Sequence, residues 1–246
     1  MATPTEPGPG GPLDPRVVLD LLCDGELEIT GRLADASNAT FLCRIVPTGT
    51  LAVYKPVRGE RPLDDFPHRT LAKRELAAFK LSQASGWRIV PPTVLRGGPF
   101  GHGMVQLWVE SDPVADVLAM VLAPDPRLRR MAVYDVLVNN ADRKGSHLLP
   151  QPDGHIYGVD HGVTFSGAPK LRTVLWGWRG QPLTDDERAT VKQVGGALDG
   201  WLGEELGELL SPMEVSAAKG RVRRLLREGR LPQPDPQRPA IPWPPF

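Results

Sequence analysis

The chain has 246 residues, 41% hydrophobic and 24% charged, and its 29 basic side chains balance 29 acidic ones. That length can bury a core, as one globular unit or as two small lobes. Zero net charge speaks against a broad nucleic-acid footprint. The only cysteines, Cys23 and Cys43, have neither metal nor redox spacing, which excludes a disulfide scaffold.

Residues 1–15 carry five prolines and three glycines, and residues 232–246 carry seven prolines. Neither run suits a helix or sheet interior, so both are expected to be extended or disordered, with Trp243 and Phe246 available to dock the second. The first run also lacks the basic and apolar segments of a signal peptide. The most apolar stretch, Val114–Ala123, contains Asp116 and is too short to span a bilayer. A cytoplasmic protein without a transmembrane segment is expected.

Between the tails, Pro15–Leu22 has helical spacing after an Asp14 cap. Three strand-like runs follow, Glu26–Leu33, Ala39–Val46 and Leu51–Lys55, parted by turn residues. Thr70–Ala84 is amphipathic with a period near 3.6. Thr93–Leu95 and Met104–Val109 read as strands. The pattern then turns helical at Val114–Leu122, Pro126–Asn139, Thr184–Leu202 and Pro212–Glu228, with one short strand near His155–Val159. The expectation is an α+β protein in two lobes, an antiparallel sheet with one helix before a mainly helical half. Its boundaries fall at 13–109 and 110–231, flanked by tails at 1–12 and 232–246.

Chemistry concentrates at four places. Lys55 ends a strand that otherwise reads as buried, so its amine either leaves the sheet edge for solvent or enters a cleft to meet an anion. Twenty positions on, Glu75 is either a solvated helix carboxylate or the ion-pair partner that aims such a lysine at nucleotide phosphates. The polar loop Asn139–His147 lies between apolar runs and is hard to explain by folding alone. Finally, Asp160-His161-Gly162 is either a plain turn or the end of a functional strand. A hairpin turning at Pro150–Gly154 would let Asp142 and Asp160 face one cleft.

In order along the chain, VYKP, KRELAAFKL, MVQLWVE, NNADRKGSHLL and GVDHGVTF resemble the phosphatidylinositol 3-/4-kinase-like branch of the kinase superfamily. The match is nearest the type II phosphatidylinositol 4-kinases, the HipA-like kinases and their small bacterial relatives, and it covers roughly residues 35–180. The resemblance implies a two-lobed kinase fold with ATP and Mg²⁺ or Mn²⁺ in the cleft, and transfer of a phosphate to a hydroxyl on a protein, lipid or small molecule. It implies that Lys55 contacts the phosphates and Glu75 fixes it, that Asp142 orients the attacking hydroxyl, and that Asp160 binds metal. Backbone groups of Leu107 to Val109 would meet adenine. The turn Ala36–Thr40 would cover the phosphates, using amides and the side chains of Ser37, Asn38 and Thr40.

One position departs from the family. His147 stands where the second metal ligand is usually Asn. It leaves open coordination of a softer ion, direct donation to phosphate, a one-ion site, or a pseudokinase that binds nucleotide as a regulatory partner. A metal-dependent hydrolase on Asp142, His147, Asp160 and His161 is a further alternative. Downstream, Lys170, Arg172 and Arg179 with Trp176 and Trp178 form either a surface for an anionic lipid headgroup or a packed segment with solvated charges. Arg221, Arg223, Arg224 and Arg227 are spaced as a surface stripe on the last helix.

Overall fold

A computed structural model describes residues 15–33 and 38–246. The Asp14 cap and Ser37 lie outside the described residues. The first helix, α1 (Pro15–Asp24), leads into β1 (Glu26–Arg32), β2 (Phe41–Val46) and β3 (Thr50–Pro56). After α2 (Leu71–Ser85) come β4 (Thr93–Gly98) and β5 (Gly101–Leu107). All pair antiparallel in one five-stranded sheet of order β1-β2-β3-β5-β4. Side chains alternate faces along a strand. Ala52 and Tyr54 therefore point into a small core with Leu22, Cys43, Ile45 and Val105, while Val53 and Lys55 emerge on the other face.

The second half is α3 (Val117–Leu122), α4 (Arg129–Val138), the hairpin β6 (Leu148–Pro150) and β7 (Ile156–Gly158), then α5 (Asp185–Leu198), α6 (Trp201–Leu209) and α7 (Pro212–Glu228). The single helix expected over Thr184–Leu202 is two, because the chain breaks at Asp199-Gly200, where Gly200 takes φ −128° and ψ −130°. Helix α2 belongs to the larger core: Ala77, Ala78, Phe79 and Leu81 pack with Leu137, Val191, Val194 and Leu206. It thus joins the sheet to the helices, packing on one while presenting Glu75 toward the other. Among the described residues, no helix is long and apolar enough to cross a membrane.

The C-terminal segment forms neither helix nor strand, yet it is bound. Trp176 Nε1 and the Thr173 amide donate to Ala240 O at 2.9 and 3.0 Å, and the Gly145 amide donates to Pro245 O at 2.8 Å. Phe246 lies against Gly145, whereas Trp243 is 85% exposed and anchors nothing.

Candidate active site

Lys55 Nζ donates to Glu75 Oε1 at 2.7 Å and to Asp160 Oδ1 at 2.8 Å, joining residues 105 positions apart. The carboxylate of Glu75 is buried, and its second oxygen accepts the His161 amide at 2.9 Å. One carboxylate therefore holds both the amine and the backbone next to Asp160. Burial alone would disfavour the ammonium. The charges of Asp160 and Glu75 overturn that and push the Lys55 pKa above its ordinary value. The Lys55 charge in turn holds the Asp160 carboxyl well below the usual range, while burial raises Glu75.

Asp160 sits at φ 59°, a left-handed conformation that costs a non-glycine residue about 1–2 kcal/mol. The surroundings fix it. The Val159 amide donates to His147 O at 3.1 Å, and Arg143 donates to Val159 O at 3.1 Å. Its carboxylate stays 47% exposed, with the oxygen that Lys55 leaves over 3.5 Å from His147 Nε2.

The hairpin β6–β7 returns the chain from the loop of Asp142 to Asp160. Most of that loop proves structural. Asn139 caps α4 at φ 52°, and its side chain donates to Ser166 O and Ala168 O and accepts the Lys170 amide. Asn140 bonds Asp135 and the Asp142 amide, and Arg143 forms a fully buried pair with Asp135 at 3.0 Å. Folding thus accounts for three polar residues that looked unexplained. Asp142 remains partly open, 3.3 Å from Lys144 Nζ. Burial raises its pKa, opposed by Lys144 and reinforced by the nearby charge of Asp160.

His147 is a neutral imidazole, pushed down to about 4 by burial despite the Asp160 charge. Its Nδ1 accepts the Lys144 amide at 3.4 Å, so the ring proton sits on Nε2 and points toward Asp160. His161 is turned away. Its ring is fully buried, with Nε2 accepting from Arg143 at 2.6 Å and Nδ1 lacking a partner. It cannot join Asp142, His147 and Asp160 around one ion, and no group of three or more His, Cys, Asp or Glu among the described residues could hold a metal. The hydrolase alternative fails on that geometry.

Other candidates stand apart from the cluster. Thr40 is buried, its hydroxyl donating to Asn38 O at 3.3 Å, and Asn38 Oδ1 accepts the Arg61 amide at 2.7 Å. The Thr40 side chain closes the turn on itself, while that of Asn38 ties it to the Gly59–Arg61 segment. The Leu107 amide is spent on Pro92 O and that of Trp108 on Leu51 O. Leu107 has no N–H to offer a base, while the Val109 amide carries no bond to another described residue. Trp178 is 7% exposed and packs in the helical core, so it is no membrane anchor. Arg221 is buried rather than part of a surface stripe.

No family model matches the sequence. Solved structures similar at the level of fold include two kinases. The golgi casein kinase is 16% identical with a TM-score of 0.50, covering 87% of this chain and 74% of that one. The Helicobacter pylori proinflammatory kinase CtkA is 11% identical with a TM-score of 0.53, covering 85% and 94%. The architecture is therefore protein-kinase-like, a sheet-bearing part and a helical part. The Mycobacterium tuberculosis protein Rv2133c is 44% identical over a 263-residue alignment spanning 92% of this chain and 94% of that protein. With that identity over nearly both full lengths, the chain belongs to the family of Rv2133c.

Proposed function

We propose that the chain is a kinase of the phosphatidylinositol 3-/4-kinase-like kind, moving the γ-phosphate of ATP to a hydroxyl acceptor. The protein-kinase-like architecture and the ordered motifs from VYKP to GVDHGVTF support this, with lobes at 13–109 and 110–231. The observation that carries it is Lys55 Nζ held between Glu75 and Asp160, with Asp142 close enough to feel the Asp160 charge.

In this reading Lys55 commits two of its three N–H donors to carboxylates and keeps one for a phosphate oxygen. Asp142 receives the proton of the attacking hydroxyl as the new O–P bond forms and the bond to the bridging oxygen breaks. Its raised pKa makes it a better acceptor than an open carboxylate. The half-exposed carboxylate of Asp160 fits a Mg²⁺ or Mn²⁺ ion, since such ions take one or two protein carboxylates plus substrate phosphates. When bound, the ion supplies charge neutralisation between phosphate groups. His147 fits the role of ligand poorly, because the nitrogen facing Asp160 bears the ring proton. It fits that of a hydrogen-bond donor to Asp160 or to phosphate, leaving a one-ion site.

Incubation with γ-labelled ATP and either metal tests the proposal. Label transfer to the protein or to a lysate component is expected, and Asp142→Asn and Asp160→Asn abolish it. Transfer that persists in both variants overturns the assignment. Nucleotide binding without transfer in the wild type would favour the regulatory pseudokinase that the His147 departure allows. His147→Asn is expected to leave the Mn²⁺/Mg²⁺ activity ratio unchanged; a shift toward Mg²⁺ would make the imidazole a ligand.

A further inference from the structure

Beside the catalytic loop lies a cavity of about 540 Å³ between the segment following Asp160, helix α7 and the C-terminal segment. Its lining is rich in cations. Two of them are neutralised: Lys170 Nζ lies 2.6 Å from Asp65, and an Arg238 nitrogen lies 3.5 Å from Asp235. Three are not. No carboxylate among the described residues pairs with Arg172, Arg221 or Arg224, and Glu228, which also lines the cavity, reaches only Arg227 at 3.8 Å.

Arg221 is the telling residue. It is 8% exposed, and its guanidinium donates to the Leu137 and Ser166 carbonyls at 3.0 and 3.3 Å. Its remaining terminal nitrogen is buried without any partner, and so is Nε of Arg172. Buried cationic N–H groups left unpaired are costly, and native proteins satisfy them with few exceptions. Burial and the neighbouring charge of Arg224, offset only in part by the charge of Glu214, hold the Arg221 pKa down to about 10. Helix α7 itself shows the alternative, for two turns earlier Glu214 neutralises Arg74.

We propose that this cavity is a binding site for a phosphate-class anion, a phosphomonoester or inorganic phosphate, held by Arg172, Arg221 and Arg224. Planar guanidinium forks match phosphate oxygens, and the three arginines line the cavity together. The site adjoins the catalytic loop. The Arg172 amide donates to Asn140 O at 2.8 Å and its carbonyl accepts from the Arg143 amide at 3.0 Å, while Ala141 lines the same cavity. An anion there sits next to Asp142, whose carboxyl already feels the Arg172 charge. The site stands whether or not the chain transfers phosphate.

Isothermal titration calorimetry with inorganic phosphate and with glycerol 3-phosphate, on full-length protein without nucleotide, tests the inference. Saturable binding of one equivalent is expected, weakened about tenfold or more in Arg172→Gln and in Arg224→Gln. Arg224 is exposed, so the second variant keeps its fold. Binding is expected to survive in Lys55→Met and Asp160→Asn. Flotation with phosphatidylcholine vesicles with and without phosphatidic acid distinguishes the source of the phosphate. Binding confined to the anionic vesicles would identify a lipid headgroup, and titration by the soluble esters would identify a free phosphate; in both cases Arg224→Gln must remove it. Absence of saturable binding to every probe overturns the proposal. So does binding that is indifferent to Arg172 and Arg224, or binding that Lys55→Met abolishes, since the anion would then occupy the cleft.

Discussion

Three arginines are buried among the described residues, and the regions around them differ in a single respect. Near the proposed catalytic centre, Arg143 is enclosed with Asp135, and Arg74 of α2 crosses to Glu214 of α7. Near the cavity, Arg221 finds only carbonyl oxygens. The first two are internal struts: each desolvated cation has a desolvated anion beside it, so nothing from outside is needed. The third has no carboxylate within ion-pair distance and only the more distant Glu214 to offset its charge, and that missing partner is the information. Lys55 belongs with the first pair in its balance, yet the half-exposed Asp160 opens that balance to a ligand.

The largest expected effect is on chemistry. Lys55→Met should lower label transfer by about 10²–10³-fold or more, as loss of preorganised charge does elsewhere, while the urea midpoint reports whether the fold survives. Next comes stability. Arg143→Met strands Asp135 in a site with no solvent access and should cost about 3–5 kcal/mol by urea unfolding, whereas Arg74→Met leaves Glu214 its bonds from Ser211 and should cost about 1–3 kcal/mol. Arg221→Met leaves no carboxylate behind and forfeits two bonds to carbonyls, about 1–3 kcal/mol. An equal penalty at Arg221 and Arg143 would erase the distinction between the two regions.

A pH experiment sharpens the same contrast. Burial tends to raise the Glu214 pKa, but the Ser211 amide and Arg74 outweigh it and hold the carboxyl below its usual 4.5. A depressed carboxylate stabilises the fold above its unfolded value and loses that contribution as pH falls through the folded one. Glu214→Gln should therefore flatten the fall in stability between about pH 5 and about pH 3, and an unchanged slope would remove Glu214 from the acid-sensitive set. The smallest effect concerns the tail. A Cβ at residue 145 would collide with the Phe246 ring, so Gly145→Ala should release the last residues to carboxypeptidase at a cost of about 1 kcal/mol or less.

Much of the fold was legible along the chain. The strand expected at Leu51–Lys55 lies within β3 and the helix expected at Pro212–Glu228 is α7, which opens on the capping box of Ser211 and Glu214. The expected helix over Thr184–Leu202 ran through its break, because Gly195, Gly196 and Gly200 blur the apolar period that marks a helix end. The polar loop was misread in part: composition showed seven polar or charged residues between apolar runs, but not that Asn139, Asn140 and Arg143 face inward.

Local patterning determined the elements, because periodicity and turn chemistry act over a few residues. Tertiary structure alone decided which charges are balanced. Arg221 and Arg224 are three positions apart on one helix, yet one is sealed and the other open. Whether a buried cation meets a carboxylate depends on segments distant in sequence, Asp135 for Arg143 and Glu214 for Arg74, and desolvation makes that choice count only once the chain has closed around it.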